Sequence, residues 1–514
     1  MEAPSHWIAT GTLPRFPRLA RNLAVDVVIV GGGITGITAA YLCRQAGLSF
    51  ALIERDRLAR MDTGHTTAHL TPVTDLLFTE MTDSLGNEAA RAVWDAGGAA
   101  IDRIVANIRS ENITCDFRWL PGYLHAPTDG DFSEASKELE AEAEAARSLG
   151  VKAEFLPSVP LMDAPGVRFP QQALFHPRKY LAGLVRSFGG KGAHVFEQTA
   201  VDTIEDNPLT VKAGDSTITC GHLILATHTP LQGNTGTLSA LLFQTKLALY
   251  TSYALSAQIP PQGVEALFWD TKDPYDYLRV EHRRGHDLLI FGGEDHKTGQ
   301  EESPREAGKR LAQRFQQRFP NAVIQRQWSG QVIETADGLP YIGSTAVNQF
   351  IATGYAGNGM TFGTLGAMMA LDAITGRRNP WIDLFQVNRK KVRGSAWEYL
   401  KENKDYPYHL LRDYLAPADA HTLRSLNRSE GKIVAIDGRK VAAYRDASDK
   451  ITLSSPVCPH LGCIVGWNDA AHTWDCPCHG SRFRATGEVI SGPAEKDLEK
   501  LPELEAAHAN ETGQ

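Results

Sequence analysis

Ala24-Val25-Asp26-Val27-Val28-Ile29-Val30-Gly31-Gly32-Gly33-Ile34-Thr35-Gly36 is the stretch on which the reading of this chain turns. Its first seven residues are a short β-branched run, the pattern of a strand buried on both faces of a parallel sheet. The run passes into G-x-G-x-x-G and then into a helical segment over 37–46. A second apolar run, 50–53, ends in Glu54, 23 residues after Gly31. Glycines permit a tight turn and close backbone approach, the helix N-terminus faces a pyrophosphate, and the acid takes a ribose hydroxyl. A bare glycine motif is weak. Strand before, helix after and acid at this distance together predict a dinucleotide site.

Further along, Gly354-Tyr355-Ala356-Gly357-Asn358-Gly359-Met360-Thr361-Phe362-Gly363 is a second glycine-rich turn entering a helix. The positive end of that helix suits the electron-rich pyrimidine edge of a flavin. No other complete strand–glycine–helix–acid unit follows, so a separate NAD(P) domain is not expected.

Near the C-terminus stand Cys458-Pro459-His460-Leu461-Gly462-Cys463 and Cys476-Pro477-Cys478-His479-Gly480-Ser481. Four of the seven cysteines crowd here; Cys43, Cys115 and Cys220 are scattered, as small buried hydrophobes are. Such a cluster argues for metal before a disulfide scaffold. Each half offers one thiolate and one imidazole. A zinc finger would place both cysteines in one half and both histidines in the other. The alternation suits a [2Fe–2S] cluster whose irons have different ligand sets, held by Cys458, His460, Cys476 and His479. Short runs at 433–436, 441–445 and 451–453, parted by turn residues, predict a small all-β unit around these loops.

The chain's 514 residues exceed one compact core and suggest about three domains. A net charge of −8 predicts no general attraction to nucleic acid or anionic membrane. The run Arg389, Lys390, Lys391, Arg393 reads as a solvated linker face. No apolar stretch approaches the length of a membrane helix, and the N-terminus lacks a signal-peptide pattern, so the expected location is cytoplasmic.

The C-terminal motifs resemble the Rieske proteins of respiratory and photosynthetic complexes. That resemblance implies a Cys463–Cys478 disulfide tying the two loops together. It also implies that Ser481 donates to a bridging sulfide, and that 492–494 form a shielding proline loop. Phe483 stands where those relatives carry a second donor, a tyrosine, which implies a lower cluster potential here.

Residues 24–375 resemble the D-amino-acid oxidase and glycine oxidase family of FAD proteins. The resemblance rests on 30–36 with Glu54, on 64–71, 223–227, 328–330, 335–340, 342–343 and 354–363. It implies that Gly31, Gly33, Thr35 and Gly36, with Ile34, cradle the pyrophosphate. Glu54, beside Arg55, would take the ribose, and Val201 would lie near the adenine. Thr66, Thr67, Gly359, Met360 and Thr361 would lie at the flavin. Arg279 stands near where relatives bind a substrate carboxylate, although a structural ion pair is an equal reading. His65 and His69 invite comparison with relatives that attach FAD covalently, against ordinary polar contacts.

The expected fold is a Rossmann-like α/β FAD-binding domain of glutathione-reductase type, an α+β substrate domain and an all-β Rieske domain. Expected boundaries are 1–380 for the oxidoreductase, with FAD-binding parts 24–75, 196–239 and 326–380. The substrate domain spans 76–195 and 240–325, a linker 381–428, and the Rieske domain 429–505. The whole resembles bacterial FAD-dependent oxidoreductases with a fused Rieske domain. The implied reaction oxidises an amine or amino acid at the flavin and passes electrons singly through the cluster to an external acceptor. A non-catalytic electron carrier or redox sensor is the alternative. A Rieske oxygenase would need a further 2-His-1-carboxylate iron, for which no convincing residues are found.

Overall fold

The computed structural model describes residues 4–230, 246–389, 412, 416–420, 422–502 and 504. At its centre is the strand Leu23–Val30, with Val27, Val28 and Ile29 buried on both faces. It pairs in parallel with Ser216–Leu225 on one side and Phe50–Ile53 on the other. Gln349–Thr353 extends this eight-stranded sheet in parallel, and the antiparallel Tyr341–Ala346 forms its edge. The helices Ile34–Gln45 and Gly359–Ile374 pack on each other beside the sheet. Their near-continuous burial is what a sandwiched parallel layer requires. The first helix begins three residues earlier than the sequence reading, at Ile34, because Gly33 itself serves as its N-cap.

A second sheet has nine strands and is mostly antiparallel. Eight run in the order Val323–Thr335, Leu247–Ile259, His286–Lys297, Tyr277–Arg283, Ala266–Asp270, Arg118–His125, Gly166–Leu174, His69–Leu70, and the ninth, Glu154–Leu156, also pairs with Gly166–Leu174. A Glu- and Ala-rich helix spans Ser133–Ser148.

The C-terminal unit is all β: a three-stranded sheet (Glu430–Ile436, Arg439–Arg445, Ile451–Ser454) and a four-stranded one (Gly466–Asn468, Thr473–Asp475, Arg482–Arg484, Val489–Ser491). Trp474 and Phe483 fill its core. The first cysteine loop joins the two sheets, and the second links Thr473–Asp475 to Arg482–Arg484 within the four-stranded one.

Arg389 corrects the reading of a solvated basic run. Its guanidinium is buried, forks onto the Asp337 carboxylate and lies 4.0 Å from the Tyr341 ring centroid. Lys390, Lys391 and Arg393 lie outside the described residues. Among the described residues, no helix is long and apolar enough to cross a membrane.

Candidate functional site: a flavin cleft sealed by the cluster domain

The turn after Val30 shows why glycine is needed. Gly31 has φ +107°, and a Cβ there would meet the Ala226 carbonyl oxygen at 2.3 Å; one on Gly36 would meet the Gly31 oxygen at 1.8 Å. Gly36 therefore lets the helix approach the strand, while Gly31, Gly33, Ile34 and Thr35 line the cavity. Glu54 accepts the backbone N–H groups of Gly32 and Asp56, each at 2.7 Å. Burial raises its pKa, with those two hydrogen bonds opposing.

The cavity has a volume of about 590 Å³. It extends past Arg55 and Val201, along Thr66 and Thr67, to Gly359 and Met360 at the start of the second helix. Thr361 is buried just behind, its hydroxyl donating to the Thr71 carbonyl. His65 and His69 also line it. Their Nδ1 atoms lie 2.9 Å from the Met61 carbonyl and 3.2 Å from the Thr67 hydroxyl. A glycine cradle, a helix N-terminus and a half-buried acid beside the first turn fit a dinucleotide.

Beyond Gly357 the cavity opens among Asp75, Ser252, Trp269, Tyr275, Tyr277 and Asp295. The Tyr275 hydroxyl donates to Asp75 at 3.2 Å, and the Tyr277 and Ser252 hydroxyls are 2.6 Å apart. Burial pushes the carboxyl pKa of Asp75 up to about 6 and that of Asp295 up to about 7. None of this set is marked by a sequence motif; the sequence reading singles out only Arg279 nearby.

That neighbour, Arg279, is a correction. It is fully buried and does not line the cavity; its guanidinium donates to the carbonyls of Ala68 and Phe175 and to Glu281. Trp7, from the helix His6–Thr10, lies over it at 4.9 Å. The structural ion pair describes Arg279, because Trp7, from the far N-terminal end of the chain, closes over it.

In the cluster loops, each turn closes on itself. Cys458 N–H donates to Cys463 O and Cys476 N–H to Ser481 O, both at 2.8 Å. A disulfide joins Cys463 to Cys478. Cys458 and Cys476 take no part in the disulfide and are buried; the His460 and His479 rings stand 5.0 Å apart at 89°. Burial lowers both imidazole pKa values to about 4, so each is neutral near pH 7, the form that binds a metal. Two thiols and two neutral imidazoles fit the mixed ligand set of the cluster. Ser481 accepts the Ala494 N–H at 3.0 Å, which fastens the 492–494 loop over the site.

The second loop also docks on the first domain. Gln331, a buried cavity residue, donates to the Gly480 carbonyl at 2.8 Å and accepts from Ser491 at 2.9 Å. Thr229 donates to Gly492 O at 2.8 Å, and Gln300 to Pro477 O at 3.0 Å. Arg55 reaches the Ile490 carbonyl. Residues 490–492 and 494–496 thereby form part of the cavity wall. Gln331 had no sequence signal, since nothing local marks a glutamine in a strand as a bridge.

Comparison with known proteins agrees with this geometry. Residues 26–373 match the family described as FAD dependent oxidoreductase, and 419–502 match the Rieske [2Fe-2S] domain. YhfW of Bacillus subtilis (strain 168), whose name is that of a Rieske 2Fe-2S iron-sulfur protein, is 32% identical over 97% of this chain and 98% of its own length. The cytochrome b6-f complex iron-sulfur subunit 1 of Nostoc sp. is 60% identical over 42 residues, 8% of this chain and 24% of that protein. The glycine oxidase structure from Geobacillus kaustophilus aligns with a TM-score of 0.58 at 17% identity, covering 72% of this chain and all of that one, a likeness of fold. The chain therefore belongs to the FAD dependent oxidoreductase family, binds FAD in its first part, and carries a [2Fe–2S] cluster in a C-terminal Rieske domain.

Proposed function

We propose that this protein oxidises an amine or amino acid at the FAD and delivers the electrons singly, through the cluster, to an external acceptor. Removing a hydrogen from carbon and one from nitrogen releases two electrons and two protons; FAD takes electrons in pairs and the cluster carries one at a time. In this reading Gly31, Gly33, Ile34 and Thr35 hold the pyrophosphate, with Gly36 setting the approach of helix to strand, and Glu54, Arg55 and Val201 hold the adenosine. Thr66, Thr67, Gly359 and Met360 surround the isoalloxazine, with Thr361 buried behind them. Cys458, His460, Cys476 and His479 hold the irons. The names of structural neighbours, glycine oxidase and L-proline dehydrogenase among them, favour a small nitrogenous substrate.

The observation that carries the proposal is the seam at Gln331. One buried side chain lines the flavin cavity and bonds the residue next to His479, which supports electron transfer within the chain. The test is anaerobic mixing with amines and amino acids while flavin absorbance and the reduced-cluster EPR signal are followed together. Flavin bleaching followed by the signal is expected. If no compound bleaches the flavin while dithionite does, the chain is an electron carrier instead.

A further inference from the structure

Resting on that reading, we infer that the substrate end of the cavity takes an organic ammonium that bears no carboxylate: an amine rather than an amino acid. Beyond Gly357, where an added Cβ would lie 3.2 Å from Asp75 Oδ2 and 3.4 Å from the Tyr275 hydroxyl, two carboxyl groups line the space. Asp75 has Tyr275 as its hydrogen-bonding neighbour; Oδ1 of Asp295 is buried with no hydrogen-bond partner. Asp75 is exposed, whereas ionising Asp295 with its Oδ1 buried and unpartnered is costly, and a bound ammonium supplies the missing charge.

Trp269, Tyr275 and Tyr277 add three aromatic rings to the same wall, a surface that attracts cations through their faces. Ala254 adds apolar surface for a carbon chain.

A carboxylate finds no counterpart there. Among the described residues, none of those that line the cavity from the second sheet is arginine or lysine. Arg279 is sealed under Trp7 and committed to Glu281. Arg314 lies outside the cavity, forked onto Asp276 and paired with Glu294. The one basic side chain of that sheet in the wall, His69, is neutral, since burial and the nearby Arg279 lower its pKa to about 3. An α-amino acid would place its second charge against two acids.

The experiment measures binding to the oxidised, cluster-loaded protein by perturbation of the flavin spectrum, using n-butylamine, benzylamine and 1,4-diaminobutane against norvaline and butyrate. At least one amine is expected to bind at least about thirtyfold more tightly than norvaline or butyrate. Asp295→Asn and Asp75→Asn should each reduce that affinity by a similar factor while FAD and iron content stay constant. Tighter binding of norvaline or butyrate overturns the inference, as does amine affinity unchanged in both variants or binding of no amine. The two proposals fail separately. If amines bind as expected but never bleach the flavin, the ammonium site stands and the dehydrogenase reading falls. If norvaline binds best and bleaches it, the reverse holds.

Discussion

The cluster loops and the substrate end of the cavity are built in opposite ways. Each cluster loop spans six residues, closes on its own backbone, and is stapled to the other by a disulfide. The substrate end draws Asp75, Ser252, Trp269, Tyr275, Tyr277 and Asp295 from separate strands and loops across 220 residues of chain, joined by single hydrogen bonds. A metal cluster needs ligands held at set positions, which local turns provide. A charge-selective pocket needs a low dielectric around its carboxylates, which only surrounding layers of packing provide. Damage to the first should therefore be local and complete, and damage to the second graded and dependent on pH.

The sharpest test of that contrast is Cys458→Ser. Complete loss of the Rieske EPR signal with FAD content unchanged is expected; joint loss of FAD would show that the two sites are not independent. Next, replacing both Cys463 and Cys478 by alanine opens a loop closed over a sequence separation of 15. The cost should be about 3 kcal/mol, read from denaturant bleaching of the cluster chromophore.

Asp295→Asn should act in the opposite direction on stability. Its carboxyl is raised to about 7 by burial and by Asp75, Asp276 and Glu294, with Ser252 opposing. The folded state thus keeps a proton that the unfolded chain releases near the ordinary carboxylate value. Stability falls as pH rises through that window, toward about 7. The variant removes this fall and should gain about 1–3 kcal/mol at pH 8 in thermal unfolding without ligand, but nothing at pH 4. Wild-type amine affinity should rise over the same window as Asp295 ionises.

At the seam between the two regions, Gln331→Leu deletes hydrogen bonds to Gly480 and Ser491. A loss of about 1–2 kcal/mol is expected, with slower appearance of the reduced-cluster signal after flavin reduction. The smallest effect belongs to Phe483→Tyr. One added donor worth about 1 kcal/mol raises a one-electron potential by about 40 mV in redox titration. An unchanged potential would refute the role of Phe483.

Local features were readable. Strand, glycine turn and helix follow one another within 23 residues, so the residues that require one another are neighbours in the text. The same holds for both cluster loops. Arg279 was ambiguous because an arginine in a strand looks alike whether it meets substrate or Glu281; Trp7 decides the matter from far upstream. Arg389 looked solvated as part of a basic run, yet Asp337 and Tyr341 enclose it.

By itself, then, the sequence determined the two redox groups, because ligand types, their spacing and glycine turns are properties of a few consecutive residues. Only the tertiary structure decided that the cluster loop rests against the flavin cavity through Gln331, and that the cavity beyond Gly357 is acidic and aromatic with Arg279 shut out. Those outcomes depend on sheet register, domain docking and burial. They arise between residues hundreds of positions apart, where no local pattern records them.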